Sequence, residues 1–65
     1  MNDTIGSAAG MVWQYLNENG AASASRIASE TGLDSKQLQR AIGWLAKEDK
    51  LLFDTSGRYE IISLR

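Results

Sequence analysis

The stretch ASRIASETGLDSKQLQRAIGWL, residues 24–45, decides the fold. Within it, Ala24, Ile27, Ala28 and Thr31 recur at i, i+3, i+4 and i+7, the spacing of one helix face. Ser23 stands just ahead as an N-cap whose hydroxyl can accept a backbone N–H, and Gly32 stands just behind as a stop. Asp34 and Gln37 then have the first-and-fourth spacing of a capping box, with Leu33 ahead of the cap at the staple position. A longer helix is predicted from Ser35 to Glu48, with Leu38, Ala41, Ile42 and Leu45 as its buried stripe. Ile27, Ala28, Leu33, Leu38, Ile42 and Leu45 let the two helices pack at a steep angle, and a glycine in the turn permits the tight reversal.

Upstream, Ile5, Ala8, Ala9, Val12, Leu16 and Asn19 fall at helical spacing with Tyr15 beside them, which predicts a helix from about Thr4 to Asn19. Thr4 or Asp3 can cap its start, and Gly20 stops it. Gly6 and Gly10 are poor helix formers, each costing up to about 1 kcal/mol against alanine. Either they allow another element to approach closely or they merely weaken the first turns. Ala21 and Ala22 form a short extended link.

Downstream, Asp49 and Lys50 break the pattern, and the tail reads as a hairpin with strands at Leu51–Asp54 and Arg58–Leu64. A two-residue loop would set Phe53 opposite Glu60. A three-residue loop, Thr55-Ser56-Gly57, sets Phe53 opposite Tyr59, Leu51 opposite Ile61 and Asp54 opposite Arg58. Aromatic, aliphatic and opposite-charge pairs favour the second register, which also puts Gly57 where a positive φ is needed. The expected core face is then Leu51, Phe53, Tyr59 and Ile61. The other face holds Leu52, Asp54, Arg58, Glu60, Ile62 and Leu64.

Composition narrows the function classes. A chain of 65 residues implies one domain, residues 1–65, with only a thin core, since folding at this size buries roughly 60% of the unfolded surface. Without cysteine or histidine, no disulfide or structural zinc can staple it. The same absences remove the commonest general base and the strongest nucleophile. No Gly-rich phosphate loop or calcium-loop spacing is present, so no enzyme, cofactor, metal or small-molecule ligand is expected. The longest apolar run, Ala41–Ala46, is far too short for a membrane span. Met-Asn-Asp-Thr at the start lacks a signal's basic and apolar character, so a cytoplasmic location is expected.

Taken together, residues 24–45 resemble the helix-turn-helix of bacterial regulators, and the hairpin after them resembles a wing. The stretch Ala41-Ile42-Gly43-Trp44-Leu45-Ala46-Lys47-Glu48-Asp49-Lys50-Leu51 is similar to a family of small stand-alone bacterial winged helix-turn-helix proteins, with Gly43-Trp44-Leu45 the most specific piece. The expected fold is α+β and mostly helical: three helices, a short strand and a C-terminal β-hairpin wing.

In helix-turn-helix proteins the second helix of the pair lies in the major groove. At 100° per residue, Lys36, Arg40, Gly43 and Lys47 project opposite the apolar stripe, with Gln39 on the flank. Lys36 and Arg40 can meet phosphates, Arg40 can reach a guanine edge and Gln39 an adenine. Ser35 can contact a phosphate, Gly43 leaves a gap for a backbone or base edge, and Arg58 on the wing can reach a minor-groove phosphate. These seven residues are the expected DNA-binding set of a transcription regulator, and no catalytic or metal site accompanies them. Seven basic residues against eight acidic ones count against strong general DNA affinity, and Arg58 has Asp54 as an available partner.

The competing expectation is a protein-interaction or dimerisation module on the same fold. Trp13 and Trp44 project to the sides of their helices' core stripes and are expected to cover the edges of the thin core. Alternatively, one of them joins Leu52, Ile62 and Leu64 in an exposed patch for a homodimer.

Overall fold

Helix formation follows the apolar spacing closely in the computed structural model, which describes residues 4–65. Their order is α1 (Thr4–Asn19), β1 (Ala22–Ser23), α2 (Ala24–Thr31), α3 (Ser35–Lys47), β2 (Leu51–Asp54) and β3 (Ile61–Leu64). Of the two caps expected for α1, Asp3 lies outside the described residues and Thr4 is the first residue of the helix itself. At the other end of α1, Gly20 takes φ 84° and its N–H donates to the Leu16 carbonyl at 2.9 Å.

Both caps of the helix pair form. The Ser23 hydroxyl accepts from the Arg26 N–H at 3.3 Å, and Gly32 closes α2 in the left-handed region at φ 78°. The Asp34 carboxylate accepts from the Gln37 N–H at 2.8 Å, while the Gln37 side chain accepts from the Asp34 N–H at 3.3 Å. Leu33 is half-buried against the core. The end of α3 is more specific than a polar break. Glu48 is its C-cap and Asp49 stands at φ 62°. The Asp49 N–H donates to the Ala46 carbonyl and the Lys50 N–H to the Leu45 carbonyl, both at 3.0 Å. That pair of bonds is a Schellman motif with aspartate where glycine is usual.

The core is one cluster. Ala8, Ala9, Val12 and Leu16 come from α1, Ala22 from β1, Ile27 from α2, Leu38, Ala41 and Leu45 from α3, and Leu51 and Ile62 from the sheet. Val12, Ile27 and Ile62 are its most enclosed large side chains, each stabilising the fold by roughly 1.5–3 kcal/mol. Ile42 is only half-buried at the edge of the α3 stripe.

The hairpin corrects the expected register. Leu51 pairs with Leu64, Leu52 with Ser63, Phe53 with Ile62 and Asp54 with Ile61. Strand β3 therefore starts at Ile61 rather than Arg58, and residues 55–60 form a six-residue loop. A second pairing explains the difference. The sheet order is β1-β3-β2, and β1 pairs antiparallel with β3, setting Ala22 opposite Ile62. The central strand must therefore put Ile62 and Leu64 inward, in line with Ala22, Leu51 and Phe53. A change of parity sends every β3 side chain to the opposite face. Ile62 is buried instead of outward, Ile61 only half-buried, and Phe53 and Tyr59 stay exposed. Neither the Phe53–Tyr59 nor the Leu51–Ile61 pair forms. Gly57 does not adopt a positive φ, because the longer loop does not need one there.

Among the described residues no helix is long and apolar enough to cross a membrane.

Candidate nucleic-acid interface

The capping box fixes where α3 begins and so fixes the phase of its outer face. Leu38, Ala41 and Leu45 are buried, while Ser35, Lys36, Gln39, Arg40, Gly43 and Lys47 are all exposed. Lys36, Arg40, Gly43 and Lys47 lie within a narrow stripe opposite the core. From Lys36 to Lys47 the stripe runs about 16 Å along the axis at 1.5 Å per residue. Nothing lies within 4 Å of where a Cβ would stand on Gly43. The gap between Arg40 and Lys47 is therefore open to solvent.

The electrostatics of α3 differ from those of the chain. Ser35–Lys47 contains three cations and no carboxylate, in a chain whose net charge is −1. Ion pairs among the described residues occur elsewhere: Arg26 with Glu30 at 3.9 Å, and Arg65 with Asp49 at 3.1 Å. Lys36, Arg40 and Lys47 form none.

The flank of α3 turned toward α2 is shaped differently. Ser35, Leu38 and Gln39 line a groove of about 300 Å³ with Ala24, Ser25 and Ala28. Two residues expected to meet DNA thus sit at a concave seam between the paired helices. Ser25 shares that seam and is not singled out by sequence reading; its signal is its place in the first turn of α2, just after the Ser23 cap.

Arg58 belongs to a different element, the exposed loop 55–60 of the wing. The Asp54–Arg58 pair expected from the shorter loop is absent. Asp54 instead turns back on its own loop and accepts from the Ser56 hydroxyl at 2.7 Å and the Ser56 N–H at 3.0 Å. These two bonds hold the Asp54 carboxyl below its ordinary pKa, the hydroxyl having the larger effect. Arg58 makes no ion pair among the described residues, so the wing presents its cation uncompensated by Asp54.

A protein-family profile described as "Winged helix-turn-helix domain (DUF2582)" matches residues 1–64. The chain belongs to this family. Solved structures agree with its winged helix-turn-helix architecture. Protein BT2368 from Bacteroides thetaiotaomicron, determined by solution NMR, is 31% identical with a TM-score of 0.85, over 94% of this chain and 74% of that one. The Zα domain of Carassius auratus PKZ, solved in complex with Z-DNA, is 21% identical with a TM-score of 0.84. That alignment covers 97% of this chain and 100% of the Zα chain. No curated protein matches. In this winged helix-turn-helix (DUF2582) chain, α3 is the second helix of the helix-turn-helix and the β2–β3 hairpin is the wing.

Proposed function

We propose that this winged helix-turn-helix chain is a DNA-binding module of a bacterial transcription regulator, with α3 in the major groove and the wing on the flanking backbone. One observation carries the reading: α3 holds three exposed cations, no carboxylate and, among the described residues, no ion pair, on a chain of net charge −1. The other four cations of the chain share the rest of it with all eight carboxylates, so positive charge is concentrated on α3. Helix diameter and groove width match at roughly 10–12 Å. In this arrangement Lys36, Arg40 and Lys47 meet phosphates across the groove, Gln39 and Ser35 face base edges and backbone, and Gly43 leaves room between them. Arg58 adds a phosphate contact from the wing. The bound form of the Zα domain, which shares the fold, is in keeping with DNA as the partner.

Fluorescence anisotropy on labelled duplexes at several salt concentrations tests this. Four phosphate contacts predict a log–log slope of roughly −3.6. Lys36→Glu with Arg40→Glu removes binding at about 10 μM protein in low salt. Wild-type protein that binds no duplex under those conditions, or binds with no salt dependence, sinks the proposal. Parallel titrations on right- and left-handed duplexes separate major-groove docking from left-handed recognition.

A further inference from the structure

Trp13 and Trp44 do not close the core. They are 41% and 48% exposed and line a groove between α1 and α3. The expected patch of tryptophan with Leu52, Ile62 and Leu64 does not form, because Ile62 is buried and Leu64 half-buried against the core. Leu52 stands on the other face of the wing, 49% exposed, on a strand whose outer edge is open.

The two edges of the sheet differ in character. Strand β1 is two residues long and runs straight into α2, whereas β2 has four residues and pairs on one side only. The Arg65 N–H donates to the Lys50 carbonyl at 3.0 Å, so Lys50 directs its carbonyl toward β3. Main-chain direction alternates along an antiparallel strand. Leu52 and Asp54 therefore bond to β3, while Leu51 and Phe53 turn their N–H and C=O groups to the free edge. No turn, cap or loop bond between main-chain groups of the described residues takes these up. Such an edge is a template for another strand, and proteins commonly blunt it with charge. On β2 the flanking charges do not repel a second copy. Lys50 and Asp54 are both exposed, of opposite sign, and stand two residues on either side of Leu52 on one face. Lys50 forms no ion pair among the described residues. Both Ser56 bonds to Asp54 end on Oδ1, which leaves Oδ2 open to a cation.

We infer that the β2 edge pairs with the same edge of a second copy, antiparallel about a two-fold axis beside Leu52, joining two sheets into one. In this register Leu51 and Phe53 of one copy exchange main-chain bonds with Phe53 and Leu51 of the other, so the outward groups of both are satisfied. Lys50 stands directly opposite the second copy's Asp54, and the axis repeats that pair on its other side. Leu52 meets its own counterpart as a non-hydrogen-bonded pair, the kind in which side chains approach most closely.

The main-chain bonds let this register slide only in steps of two residues. A step one way sets Glu48 against Asp54, two carboxylates, and Lys50 against Leu52. A step the other way sets Asp54 against Leu52. Only the register centred on Leu52 matches charge with charge and apolar with apolar, which is the self-complementarity an isologous contact requires. The occupant is therefore a second copy of this chain. Strand addition draws its affinity from main-chain bonds, and edges of four residues cover less than the roughly 800 Å² per partner of stable complexes. Association then belongs in the range of about 0.1–1 mM protein. It is independent of the DNA reading, because β2 lies outside both α3 and the loop that carries Arg58.

Sedimentation equilibrium of the full chain from about 10 μM to about 1 mM tests it, alongside amide hydrogen exchange followed by NMR. The expected mass rises from 7.1 kDa toward twice that value. As concentration rises, the Leu51 and Phe53 amides gain protection, whereas the Leu52 amide, already bonded to β3, does not change. Lys50→Asp alters only an exposed side chain and sets like charges opposite each other on both sides of the axis, weakening association at least about tenfold. Asp54→Lys does the same, and the double swap restores association. Phe53→Pro removes a donor at the free edge, where strands accept proline, so it keeps the sheet and the affinity for DNA while abolishing association. A monomer at every concentration overturns the proposal. So does a dimer indifferent to the charge swaps, or one that leaves the Leu51 and Phe53 amides unprotected.

Discussion

Asp49 is the one non-glycine residue among those described that holds a positive φ, at 62°. Its carboxylate also sits beside the negative end of α3, where an anion is unfavourable. Its bond to Arg65 is exposed and worth at most a few tenths of a kcal/mol. Asp49→Gly is therefore expected to stabilise the fold by about 0.5–1 kcal/mol, raising Tm by several degrees, as calorimetry would read it. Asp34→Ala moves the other way and costs about 1 kcal/mol, because the Gln37 N–H loses its acceptor. Asp54 sets a pH dependence of known sign. Its pKa is lowered in the folded chain by Ser56. The carboxylate's contribution to the loop is thus present above the ordinary aspartate pKa and lost as pH falls through the lower folded value. Ser56→Ala should return the Asp54 carboxyl carbon's NMR titration toward the ordinary aspartate midpoint; an unchanged midpoint would refute the assignment of cause.

At the scale of elements, the wing is where prediction and correction meet. The β1–β3 pairing requires Ile62 inside, so Ile62→Ala should cost about 2–5 kcal/mol while the neighbouring Ile61→Ala costs much less. Urea unfolding of the two variants discriminates the registers, since the shorter loop would reverse the ranking. The helices were legible because each carries redundant signals. In α3 the capping box, the apolar stripe and the break after Glu48 all point to the same boundaries. The hairpin was not legible from the same kind of reading. Local pair preferences of a few tenths of a kcal/mol favoured Phe53 against Tyr59, but a strand of two residues, Ala22–Ser23, decides the parity of β3 from 40 residues away. Dipeptide strands carry almost no periodicity, so no sequence window reveals them. Likewise the stripe of Lys36, Arg40, Gly43 and Lys47 followed from helical phase alone. The groove that Ser25 shares with Gln39 depends on how α2 meets α3, which periodicity does not state.

The molecule as a whole has little stability to spare. The eleven buried residues among those described, five of them alanine or valine, support a fold of only a few kcal/mol. Ile27→Ala, at a site of full burial, should remove about 2–5 kcal/mol. Most of that variant should be unfolded at room temperature by far-UV circular dichroism. Sheet order has a further consequence, for synthesis. The central strand β3 is the last of the three to be made, and β1 and β2 touch only through it. Until residues 61–64 are in place, neither edge strand has a partner and Ile62 has not reached the core, so the wing and the sheet side of the core close together in one late step.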